Sequence, residues 1–150
     1  MLVNIHFENI VTVVESGNGP YAQFVTAGRH VFGADEPESF GGHDTGPSPY
    51  EYVLAGLGAC MAMTVRMYAA RQGWGLRKTA VELQHKKVPA SDGNGQVDQF
   101  QRIIRLDGDL TEEQRKRLLQ IAEKCPVSQT LQRDSLVLSS LADAQASTAA

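Results

Sequence analysis

The stretch that decides the fold is residues 41–73, GGHDTGPSPYEYVLAGLGACMAMTVRMYAARQG. A polar lead-in rich in glycine and proline ends at Ser48, followed by Pro49 and then, three residues after the serine, Glu51. Serine is a preferred helix N-cap, and proline suits the first helical position, where its missing N–H has no partner to lose. A glutamate at the third position can reach back to the cap. Val53, Leu57, Cys60, Met61, Thr64 and Tyr68 then recur at helical spacing, and Gly73 supplies a stop. The spacing predicts a long helix with one buried face, and that face carries a cysteine.

Outward from the helix, the N-terminal third reads as antiparallel strands. Val3, Ile5 and Phe7 alternate with polar residues, and residues 10–14 continue in β-branched types. Asn18-Gly19 marks a hairpin turn, residues 21–26 a return strand, Ala27-Gly28 a second tight turn, and residues 29–32 a short third strand. Residues 33–47 form a long irregular segment of the kind that often carries function. Within it Asp35 and Glu36 read as exposed loop acids.

Beyond the helix, Val81, Leu83 and His85 alternate with polar residues, residues 89–95 are a polar loop, and residues 99–106 are the matching strand. Thr111 and Gln114 form a capping box for a second helix, with Leu118, Ile121, Ala122 and Cys125 on one face and Pro126 ending it. Residues 135–141 read as a last strand, and residues 142–150 as a frayed tail. The order βββ–α–ββ–α–β is an α+β pattern with antiparallel sheets and two core helices, forming one domain over residues 1–141.

The 150 residues suffice for a proper core, and the net charge of -3 with dispersed Lys and Arg gives no nucleic-acid footprint. No run of 18 apolar residues suggests a membrane span, and the start lacks the features of a signal peptide, so a cytoplasmic location is expected. His6, His30, His43 and His85 show no metal-ligand spacing, and no nucleotide-binding glycine motif is present, so neither metal nor cofactor is expected.

Two cysteines remain. In a reducing compartment such a pair is catalytic, redox-active or inert. Each falls on the apolar side of a helix, where cysteine is usually packing. Crossing helices would bring the two thiols together, and Cys60 lies about two turns too deep to gain from its own helix dipole. A nucleophilic Cys60 therefore needs a cation from elsewhere. Glu51 reads first as the cap residue.

The combination resembles the OsmC/Ohr family of osmotically inducible and organic hydroperoxide resistance proteins. It comprises Asp35-Glu36-Pro37, the run from Gly41-Gly42 through Asp44, Gly46-Pro47-Ser48-Pro49 and Glu51, then Gly58-Ala59-Cys60 and Lys124-Cys125-Pro126-Val127. The resemblance implies an intertwined homodimer that reduces organic hydroperoxides. Cys60 would be the peroxidatic thiol and Cys125 the resolving one, with reduction by a dithiol such as a lipoylated protein. It assigns orienting roles to Glu51 and Arg29, the sole arginine in the first 65 residues. Ohr-type members place a glutamate directly after the proline, where this chain has Tyr50, and many relatives have histidine at the place of Ser128, so the match is to the broad OsmC-like branch. The same scaffold could instead bind a small molecule with the thiols vestigial or regulatory, or serve as a structural dimer with inert cysteines.

Overall fold

The structure is a computed structural model, and it describes residues 10–142. The strand expected over residues 3–7 lies outside that range. Val11–Glu15 (β1), Gln23–Ala27 (β2) and His30–Ala34 (β3) form an antiparallel meander in the order β1-β2-β3. Val13 pairs with Val25, which pairs with Phe32. Gly28 takes a φ of 59° in the tight β2–β3 turn, a conformation open to glycine at little cost.

Pro49–Gln72 is the long helix α1, 24 residues with its ends where the capping residues put them. Glu51 accepts from the Ser48 backbone N–H at 2.7 Å, and Gly73 closes the helix in the left-handed region. Gly75–Pro89 (β4) and Gln96–Asp109 (β5) make a long two-stranded antiparallel hairpin, with a bulge between Leu76 and Lys78. Glu112–Glu123 (α2) carries the expected capping box, with Gln114 N–H donating to Thr111 Oγ1 at 3.2 Å.

Helix α1 packs on β4, on α2 and on a third helix, and the core lies along that seam. Leu57, Met61, Val65 and Ala69 meet Leu76, Leu118, Ala122 and Cys125, all buried. Length and composition alone would let α1 cross a bilayer, with a mean hydropathy of 1.4 in its most apolar 18 residues. Its capped ends and its packing on three elements are those of a core helix. The opposite face of α1 stays bare, with Met63 and Met67 exposed.

Three expectations are corrected. The chain does not leave its second helix for good at Pro126. It starts again as Pro126–Leu131 (α3), with Cys125 as the N-cap residue. Proline cannot continue a helix but suits the first turn of a new one, so the same residue both stops α2 and starts α3. Residues 135–141 form no strand here. A strand needs a neighbour for its N–H and C=O groups, and none is offered within the described chain. Leu136, Val137, Leu138 and Leu141 are all exposed.

The third correction is Asp35, which is only 3% exposed instead of being a solvated loop acid. Its carboxylate accepts from the backbone N–H groups of Glu36 (2.8 Å), His43 (3.2 Å) and Thr45 (3.1 Å), and from the Thr45 hydroxyl (2.8 Å). These four bonds tie the 33–47 segment into a fixed loop. Tyr52 of α1 donates to the Gly33 carbonyl, and its ring lies 5.6 Å from Phe32, joining the meander to the helix.

Burial pushes the Asp35 carboxyl up, but the bonds from Thr45, Glu36 and His43 outweigh it and hold its pKa below the ordinary value. A depressed carboxylate pKa stabilises the fold above the unfolded value, and the contribution is lost as pH falls through the folded one. Asp35→Asn turns two amide hydrogens toward these donors. Its melting temperature should fall by about 3 °C or more at neutral pH. The gap to wild type should close as pH drops below the ordinary aspartate range, near 3.9, as followed by thermal unfolding at stepped pH.

Candidate active site

Two chain segments bring the thiols together. Cys60 lies one residue before Met61 on the core side of α1 and is half-buried. Cys125 is fully buried, 0% exposed, where α2 ends and α3 begins. Cys60 packs against the buried cluster that contains Cys125. Both thiols are free.

The N-cap position fixes Cys125. Its sulfur accepts from the Ser128 backbone N–H at 3.4 Å, the bond an N-cap side chain makes to the first turn. Burial pushes the Cys125 thiol up. The Ser128 N–H works against that shift, the neighbouring Cys60 adds to it through hydrogen bonding and charge, and the positive charge of Arg102 opposes it more weakly. The net direction is upward, which keeps Cys125 a protonated thiol at neutral pH.

Arg102 is a cation beside Cys125 that sequence reading missed. It stands on β5 in the phase of Phe100, Ile104 and Leu106, all of which turn toward the core seam. Its Nη1 donates to Ser128 Oγ at 2.7 Å and lies 3.9 Å from Met61 Sδ. Ser128 is 2% exposed and also accepts from Gln132 Nε2 at 2.8 Å. Arg102, Ser128 and Cys125 thus form one chain of contacts beneath α1. An arginine in the apolar phase of an alternating strand is the sequence signal that marks it, because a charge there requires a local reason.

Glu51 and Arg29 stand apart from the thiols within this chain. Nine residues of helix separate Glu51 from Cys60, roughly half a turn in angle and about 13 Å along the axis. The Glu51 carboxylate is held below its ordinary pKa by the bonds from Ser48, so it serves the cap. Arg29 lies exposed in the β2–β3 turn and makes no side-chain hydrogen bond or ion pair among the described residues. Tyr50, directly after Pro49, stacks on His85 with ring centroids 4.1 Å apart and planes 7° from parallel. His85 Nε2 pairs with Asp98 at 2.8 Å, and Phe100 stands 4.9 Å from its ring. Position 50 is thus filled by an aromatic that the hairpin receives. Among the described residues no group of His, Cys, Asp and Glu is placed to hold a metal.

The asymmetry in exposure predicts the order of reaction. Limited alkylation of native protein with iodoacetamide at neutral pH should modify Cys60 while Cys125 stays protected until unfolding, as read by peptide mass spectrometry. Equal labelling of both would contradict the burial and the raised Cys125 pKa.

The fold has known counterparts. An OsmC-like protein from Mycoplasma pneumoniae superposes with a TM-score of 0.69 at 18% identity, covering 85% of this chain and 89% of its own. An organic hydroperoxide resistance protein OsmC from Legionella pneumophila gives 0.64 at 19%, covering 84% and 90%. The organic hydroperoxide resistance protein OhrB of Bacillus subtilis gives 0.59 at 24%, covering 83% and 90%. A search of curated protein sequences gives no match. The sequence pattern of the OsmC-like protein family matches residues 42–140, more than half of the chain, from the fixed loop through both cysteines. The chain belongs to the OsmC-like protein family.

Proposed function

We propose that this protein reduces organic hydroperoxides through Cys60 and Cys125. The observation that carries the reading is the placement of a half-buried thiol, Cys60, beside a fully buried one, Cys125, with Arg102 linked to Cys125 through Ser128. Family membership and the hydroperoxide resistance of the structural counterparts support the same reading.

The chemistry divides between the thiols by access. Cys60, the more exposed, attacks as thiolate on one peroxide oxygen, and the O–O bond breaks. The other oxygen leaves as alkoxide and takes a proton to become the alcohol, while Cys60 becomes a sulfenic acid. The Cys125 sulfur then attacks the Cys60 sulfur and loses its proton, and the sulfenic oxygen leaves as water. The resulting disulfide protects Cys60 from further oxidation. An external dithiol, such as a lipoylated protein, restores both thiols by exchange and is itself oxidised to a disulfide. The raised pKa of Cys125 suits a group that waits as a thiol until a sulfenate forms beside it. The apolar residues around the pair favour alkyl or lipid peroxides over hydrogen peroxide.

A homodimer is part of this proposal. Residues 135–141 present an unpaired run with strand character, SLVLSSL, and the bare face of α1 presents Met63 and Met67. The meander adds exposed Val11, Val13, Phe24 and Val31. Strand addition and apolar packing by a second copy would satisfy both kinds of surface, and would also bring a second set of Glu51 and Arg29 side chains into play.

The wild-type protein should consume cumene or tert-butyl hydroperoxide with dithiothreitol or a dihydrolipoyl donor. Cys60→Ser should lower the rate by roughly two orders of magnitude or more. Cys125→Ser should still cleave about one equivalent of peroxide and then stall, a split seen by comparing single and multiple turnover. An inactive wild type, or Cys60→Ser at wild-type rate, would sink the proposal and favour a small-molecule-binding role for the scaffold.

A further inference from the structure

Arg102 makes no ion pair among the described residues, although it is half-buried. Among the described residues the ion pairs are Arg77–Asp107, Lys87–Asp98, Arg105–Glu82 and Arg115–Glu112, with His85 Nε2 hydrogen-bonded to Asp98, and none of them involves Arg102. Its hydrogen bonds, to Ser128 Oγ and Met61 Sδ, both leave from Nη1, and among the described residues the other donors of the guanidinium fork have no partner. A cation withdrawn from water normally has an anion opposite it, since its lost hydration is otherwise uncompensated.

A cavity of about 570 Å³ opens beside that cation, between the far end of the β4–β5 hairpin, α1 and α3. This volume is in the range of small-molecule sites. Leu57, Val88, Val97, Phe100 and Leu131 supply its apolar walls. Asp98 also lines it; its Oδ1 meets both His85 Nε2 at 2.8 Å and Lys87 Nζ at 3.1 Å, so Lys87 offsets the charge of this carboxylate. Lys87 itself stands outside the lining, and Arg102 is the one cation within it. Gln132 Nε2 is occupied by Ser128.

We propose that this cavity binds an aliphatic monocarboxylate, with the carboxylate on the free donors of Arg102 and the hydrocarbon chain along Val88, Val97 and Leu131. A planar fork matches a carboxylate in two parallel hydrogen bonds. A single guanidinium balances a monoanion, whereas a phosphate dianion calls for a second cation that the lining lacks. A neutral amphiphile of the same length fills the walls and leaves the guanidinium without its counter-charge. Neither cysteine lines the cavity, so the inference does not depend on thiol chemistry.

Isothermal titration of the full chain with sodium octanoate, below its micellar range, tests this in the absence of any peroxide. One saturable site per chain is expected. Octan-1-ol should bind at least about tenfold more weakly, and so should octanoate to Arg102→Gln, since a charge-assisted pair of hydrogen bonds is lost in each case. Val97→Glu provides a second variant at a half-exposed position near the start of β5, and it too should bind octanoate about tenfold more weakly. Absence of saturable octanoate binding, equal affinity for octan-1-ol, or wild-type affinity in either variant would overturn the proposal.

Discussion

Everything in this structure depends on where α1 puts its one buried face. The helix is too apolar to stand alone, and the chain offers it the β4–β5 hairpin on one side and α2 and α3 on the other. Once Leu57, Met61, Val65 and Ala69 are seated against Leu118 and Ala122, the rotation of α1 is fixed. Cys60 is then held at the margin of the core, beside the point where α2 gives way to α3. The second thiol occupies that point because Pro126 forces the chain to stop one helix and start another. Two backbone constraints, a buried helix face and a proline, therefore place two thiols without any interaction selected for chemistry alone.

The polar chain beneath the helix sets this region apart from purely apolar packing. Ser128 is nearly inaccessible yet has its hydroxyl bound by Arg102 and Gln132 and its N–H bound to Cys125. Buried polar groups persist where their partners are complete, and removing one partner leaves the rest unsatisfied. Tyr50 adds a second contact set at the hairpin end, where its ring stacks on His85 and His85 in turn meets Phe100.

Much of this was legible in the sequence because it is written in local rules. Ser48-Pro49-Tyr50-Glu51 and Gly73 state the ends of α1, and Thr111 with Gln114 states the start of α2. The β4–β5 hairpin follows from alternation at Val81, Leu83 and His85. What escaped depends on groups distant in sequence. Asp35 looks like a surface acid until the chain folds back to bring His43 and Thr45 onto it. Arg102 looks like one more charge on a strand until its phase is compared with Phe100 and Ile104. Pro126 announced an end and concealed a beginning, since a six-residue helix is too short for periodicity to reveal. The expected strand over residues 135–141 has the right composition, but composition supplies no partner for its backbone.

The central claim is that Cys60 and Cys125 form one redox unit. Treating reduced native protein with one equivalent of cumene hydroperoxide and mapping the product by non-reducing peptide mass spectrometry tests it most directly. The account predicts an intramolecular Cys60–Cys125 disulfide as the main product, reversed by a dithiol. Protein that stays fully reduced, or that carries Cys60 oxidised while Cys125 remains a free thiol, would contradict it.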